Sequence, residues 1–163
     1  MTPLVAAHAL GASLALVLGA VNLLRRPKGD RPHRIIGRVW VVCMYWTVVS
    51  SFFIRELDPG RFSWIHGLSV FTFATLTIGL WAAMTGRIHT HRGFMRGSYF
   101  GAVGAFLGAT VVPQRDIPQL AVEHPVLLSA VVLAVTALAW GIVALASVET
   151  PSPTPQPASS LPK

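Results

Sequence analysis

Four histidines fall into two matched pairs: His8 with His33, then His66 with His91. Within each pair the spacing is 25 residues, and the second pair is displaced from the first by 58. Two arginines obey the same displacement, Arg34 with Arg92 and Arg38 with Arg96. Imidazole ligates haem iron and divalent transition metals at neutral pH. Two imidazoles on one haem fill both axial positions, which favours electron transfer over oxygen chemistry. A guanidinium fork matches carboxylate or phosphate, so the arginines would suit haem propionates. Their simpler use is anchorage to lipid phosphates. The candidate cofactor-binding residues are therefore His8, His66, His33, His91, Arg34, Arg38, Arg92 and Arg96. The same four histidines are the candidate metal ligands.

The elements that must position these residues follow from composition. Of 163 residues, 53% are hydrophobic and only 12% are charged, about half the charged fraction of a soluble domain. With a mean hydropathy of +0.59, the bilayer is the expected solvent. The net charge of +7 implies no nucleic-acid partner, because the cations flank apolar stretches and there set topology. Cys43 is the lone cysteine, which excludes an internal disulfide and a thiolate cluster.

Five apolar stretches can cross about 30 Å of hydrocarbon as helices. They cover residues 3–24, 32–54, 62–85, 91–112 and 125–148. Thr2 before Pro3 reads as an N-cap, with Ser63 or Thr90 in that role elsewhere. The first stretch has its cations after it, as Arg25, Arg26 and Lys28, so it reads as a retained span rather than a secretory signal. The connections around residues 25–38 and 87–96 are strongly basic, whereas Glu56, Asp58, Asp116 and Glu123 lie in the opposite loops. The positive-inside rule then puts the N-terminus outside and the C-terminus in the cytoplasm of a bacterial plasma membrane. Residues 151–163, rich in Pro and Ser, are expected to be disordered. Trp64 is expected in the outer aromatic belt and Trp40 in the inner one.

The offset of 58 suggests a duplicated helical hairpin, with units of about residues 3–54 and 62–112. The expected fold is an all-α integral membrane protein. It is a four-helix transmembrane bundle of two tandem hairpins, with a fifth transmembrane helix packed outside. Two hairpins in the same orientation form a parallel repeat about an axis along the membrane normal. That symmetry pairs His8 with His66 near the outer surface and His33 with His91 near the inner one. Small residues line two spans: Gly11, Ala12, Ala15, Gly19 and Asn22 below His8, and Gly93, Gly97, Gly101, Gly104 and Gly108. They allow close helix packing or leave room for a flat cofactor. His89 breaks the repeat, and His124 has no matched partner.

There is no phosphate-binding glycine loop, no His-Glu-x-x-His and no carboxylate pair within a span. Residues 32–40 (Pro-His-Arg-Ile-Ile-Gly-Arg-Val-Trp) and 89–99 (His-Thr-His-Arg-Gly-Phe-Met-Arg-Gly-Ser-Tyr) nevertheless form a distinctive pair of inner-loop segments. On these, and on the spans bearing His8 and His66, the chain resembles a family of bacterial membrane proteins, the domain-of-unknown-function family numbered 2306. The resemblance covers roughly residues 5–112, without the fifth helix and tail, and implies architecture but no activity. The histidine layout is also similar, in geometry alone, to two-haem proteins of the cytochrome b561 class.

Three functions compete. The first is a membrane electron-transfer protein, or haem-dependent oxidoreductase subunit, with one or two b-type haems. His8 and His66 would hold an outer haem, and His33 and His91 an inner one in the two-haem variant. Electrons would be exchanged with quinol or a redox partner protein. The second is a Zn²⁺ or Cu²⁺ site in which Glu56, Asp58 or Glu123 joins the histidines. The third is a non-catalytic membrane partner subunit or assembly factor.

Overall fold

The computed structural model describes residues 2–54, 64–111 and 116–148. Within them are six helices and no strand: α1 (Pro3–Leu24), α2 (Arg31–Ser51), α3 (Trp64–Met84), α4 (Ile88–Val111), α5 (Asp116–Glu123) and α6 (Pro125–Ser147). Three are long and apolar enough to cross a membrane: Pro3–Leu24, His66–Met84 and Pro125–Ser147.

Local chemistry sets the boundaries. Thr2 caps α1, its hydroxyl accepting from the Val5 amide at 3.3 Å, with Pro3 opening the first turn. Asp30 caps α2 in the same way, accepting from the His33 amide at 3.1 Å. Gly86, at φ +74°, ends α3 by letting Arg87 donate to the Ala82 carbonyl (2.8 Å) and its own amide to Ala83 (3.3 Å). This left-handed closure brings α4 in at Ile88, so Thr90 lies inside the helix and is not its cap. The Ser63 alternative lies outside the described residues. A further difference from sequence expectation is α5, an eight-residue helix where only a loop was expected. Its Pro118 falls in the first turn, where no intrahelical amide bond is lost.

α1 and α2 pack antiparallel over their whole length. His8 meets Ser50 at one end, the Trp46 indole donates to the Ala7 carbonyl (3.1 Å), and Asn22 meets His33 at the other end. α3 and α4 form the equivalent hairpin, with Thr75 against Ser98 and Gly79 against His91. α2 packs on α3 and α1 on α4, whereas among the described residues the backbones of α1 and α3, and of α2 and α4, do not approach closely and meet only through side chains at the core. The four helices therefore stand at the corners of a square, α1 and α3 on one diagonal and α2 and α4 on the other. α6 lies against the outside of α1 and α2. Arg31 donates to the Val148 carbonyl at 3.2 Å, which sets the end of α6 beside the start of α2.

Leu18, Ile36 and Leu76 are completely buried at the centre, packed with Ala15, Trp40 and Met44. Trp40, expected in the lipid interface, is in fact 5% exposed. The reason is helical phase. At 100° per residue, Trp40 falls within about 20° of His33 and 40° of Ile36, on the face turned into the bundle. The Trp64 side chain lies outside the described residues.

Candidate functional site

The structure puts three of the four matched histidines in one hydrogen-bonding pattern. His91 Nδ1 lies 2.9 Å from the Gly79 carbonyl. A carbonyl only accepts, so Nδ1 carries the proton and donates it. His33 Nδ1 lies 3.0 Å from Asn22 Oδ1, again an acceptor. His8 Nδ1 lies 2.8 Å from Ser50 Oγ. That hydroxyl also reaches the Trp46 and Thr47 carbonyls, at 2.7 and 3.1 Å, and when its proton goes to one of them it accepts from His8. In His33 and His91 Nε2 is left with the lone pair. His66 is buried at 7% exposure, its ring 6.0 Å from that of Phe52.

The histidines gather at opposite ends of the square. At one end His8 and His66 both contact the last turn of α2, through Ser50 and Phe52, and a Ser51–Ser69 hydroxyl contact of 2.7 Å ties that turn to α3. At the other end His33 and His91, both half-buried, lie in the first turns of α2 and α4. Thr75 and Ser98, both buried, meet at 3.1 Å between the two layers.

The loop beside His33 is built from charge. Arg25 grips Asp30 with both terminal nitrogens, at 2.7 and 2.8 Å. This hydrogen bond from Arg25 holds the Asp30 carboxyl below its ordinary range. Lys28 Nζ donates to the Asn22 and Leu23 carbonyls at 2.5 and 2.8 Å, satisfying the end of α1 with a cation where the helix dipole is negative. Burial first, then the neighbouring Arg26, Arg25 and Arg92 cations, push the Lys28 amine below its usual value. Arg87 stacks on the Trp81 ring at 4.9 Å.

The matched arginines part company with the histidines. Arg34, Arg38, Arg92 and Arg96 are all exposed. On α2 the two arginines lie about 100–140° from His33, which directs them out of the bundle. The small residues divide as well. Gly19 gives way to the Trp40 and Tyr99 rings and Gly11 to Trp46, whereas a Cβ at Gly93, Gly97, Gly101, Gly104 or Gly108 would meet nothing within 4 Å. The second glycine run therefore faces away from the bundle. No three of His, Cys, Asp and Glu come together among the described residues. Glu56 and Asp58 lie outside them, and Glu123 is exposed on α5. The sequence reading missed Asn22, Ser50 and the Gly79 carbonyl as histidine partners. Asn22 alone carried a signal, as the one amide within an apolar span.

A helical bundle with apolar membrane-length helices and histidines turned inward at both ends is a helical membrane protein with candidate ligand sites near its two surfaces. The chain belongs to the family described as predicted membrane protein (DUF2306), whose model matches residues 5–148. The match runs on through α6, beyond the 5–112 expected from the inner-loop segments. No match is found among curated proteins or solved structures.

Proposed function

We propose that the protein is a five-span electron-transfer protein of the bacterial plasma membrane that binds b-type haem through its inward histidines. The observation that carries this reading is a shared contact: Nδ1 of His8, His33 and His91 each lies 2.8–3.0 Å from an oxygen, which in His33 and His91 holds the proton there and leaves Nε2 as a ligand atom. Ligating histidines are commonly oriented by such a bond, which fixes the ring and raises its basicity. α2 and α4 cross because they lie antiparallel along α1 and α3, which are apolar enough to span. The basic connections then face the cytoplasm, with the N-terminus outside and the C-terminus inside.

Side chains fill the centre of the bundle, so a flat ligand belongs at its ends, where the histidines stand. His33 near the start of α2 and His91 near the start of α4 stand at the same end of the bundle and are the residues that would hold one haem. They form the first haem site, and His8 with His66 a second. Bound haem would supply one-electron chemistry. The chain's own residues orient the imidazoles through Asn22, Gly79 and Ser50 and shut water out of the centre. Quinol in the bilayer or a redox protein would exchange electrons with the site. Zn²⁺ or Cu²⁺ ligation by the same histidines, and a role as a partner subunit without cofactor, are the competing readings.

The test is the visible spectrum of the purified full-length protein, oxidised and dithionite-reduced, with haem counted per chain. A sharp reduced α-band is expected, weakened in His33→Ala and His91→Ala for the inner haem and in His8→Ala and His66→Ala for the outer. A colourless protein expressed with ample haem, or an unchanged spectrum in all four variants, would overturn the reading. Metal analysis and copurification of a partner would then separate the other two.

A further inference from the structure

Nine Lys and Arg side chains lie between residues 25 and 96 at the end of the bundle that holds His33 and His91: Arg25, Arg26, Lys28, Arg31, Arg34, Arg38, Arg87, Arg92 and Arg96. Four have partners. Arg25 holds Asp30, Lys28 the end of α1, Arg31 the Val148 carbonyl, and Arg87 the Trp81 ring. Among the described residues at this end, Asp30 is the lone acid, and Arg25 occupies it. The side chains of Arg34, Arg38, Arg92 and Arg96 make no hydrogen bond and no ion pair among the described residues. Among the described residues, the four arginines that repeat at the offset of 58 are thus without a counter-charge.

Their placement says what should supply it. Each pair is one helical turn apart, about 5–6 Å between Cβ atoms, on an exposed face. α2 starts at Arg31 and α4 at Ile88, which sets the arginines within about 12 Å of the helix starts. That depth is the headgroup layer and its border with hydrocarbon, within reach of an extended arginine stem. Since α2 and α4 stand on a diagonal, the pairs face lipid on opposite sides of the bundle. Two forks side by side provide up to four parallel N–H donors and two uncompensated positive charges. A zwitterionic headgroup brings its own cation to such a place, and an anionic one does not.

We propose that Arg34 with Arg38, and Arg92 with Arg96, form two equivalent binding sites for the phosphate of an anionic phospholipid in the inner leaflet. The sites rest on the membrane placement of the helices and are independent of haem. On this assignment the arginine repeat serves the lipid boundary, and the histidine repeat serves the interior.

The experiment is native mass spectrometry of the full-length protein in detergent, titrated with phosphatidylglycerol or phosphatidylcholine. Two phosphatidylglycerol molecules should be retained per chain, and phosphatidylcholine much more weakly. Arg34→Gln with Arg38→Gln should weaken one site by about thirtyfold, from the contribution of two interfacial cations. Arg92→Gln with Arg96→Gln should weaken the other equally, and the fourfold variant should retain neither lipid. The Lys-substituted pairs, which keep the positive-inside signal, should bind with intermediate strength because the fork is lost. Equal retention of the two lipids, or unchanged stoichiometry in the fourfold variant, would overturn the proposal. Neither result would bear on the haem spectrum.

Discussion

Gly19 offers the sharpest test of how α1, α2 and α4 meet. A Cβ built there lies 2.5 Å from Tyr99 Cδ2, 2.6 Å from Trp40 Nε1 and 2.8 Å from Tyr99 Cε2. Carbon–carbon contacts are most favourable near 3.5–4.0 Å, so Gly19→Ala drives a methyl about 1 Å into two rings at once. Neither ring is the loose end of a flexible chain, and Trp40 is 5% exposed. Overpacking of this kind costs about 1–3 kcal/mol. The same substitution also improves helix propensity by about 1 kcal/mol, which alone would mask part of the loss. Gly101→Ala on α4 is the matched control, since its Cβ meets nothing within 4 Å. Propensity cancels between the two variants and the overpacking cost remains. Reversible unfolding in mixed micelles, followed by far-ultraviolet circular dichroism, should rank Gly101→Ala at or above the parent protein. Gly19→Ala should lie about 1–3 kcal/mol below Gly101→Ala. A difference under about 0.5 kcal/mol would be within the scatter of surface substitutions and would refute the packing of α1 against Trp40 and Tyr99.

Other consequences can be measured on the same preparation. Ser50→Ala deletes the hydrogen-bond partner of His8 Nδ1 at a 2%-exposed position and should cost about 1 kcal/mol; unchanged unfolding would remove Ser50 from the site. Thr2→Ala loses the cap of α1 and should cost about 1 kcal/mol, seen as fraying in amide exchange confined to the first turn. The Asp30 carboxyl is depressed in the folded protein by Arg25. Its contribution to stability is therefore complete above the unfolded value of about 3.9 and is lost as pH falls through the lower folded value. Asp30→Asn keeps a capping side chain but gives up the ion pair, so that part of the acid limb should vanish; superimposable acid unfolding curves would exclude the Arg25 contact.

Particular residues show how far the sequence could be read. The bounds of α1 agree with the sequence reading, because Thr2-Pro3 and the basic residues 25–28 announce both ends. Position 125 announced the start of α6 through its proline. The start of α4 was misplaced by three residues, since Gly86 ends α3 through hydrogen bonds reaching back to Ala82 and Ala83, and those depend on one φ angle. The short α5 carried too few residues for its periodicity to register. Indole favours the lipid interface, which is where composition alone puts Trp40, whereas its angular position relative to Ile36 turns it into the bundle.

By itself the sequence determined a helical membrane protein, its basic end, and the common displacement of histidines and arginines. These properties are carried by composition and by intervals along one chain. Only the tertiary structure decided that the histidines turn inward and the arginines outward, that Ser50 meets His8, and that Asn22 and the Gly79 carbonyl hold the proton of their histidines on Nδ1. Helical phase and the contact of one helix with the next govern those outcomes. A polar residue in an apolar span declares that it needs a partner, but its partner is chosen by the neighbouring helix.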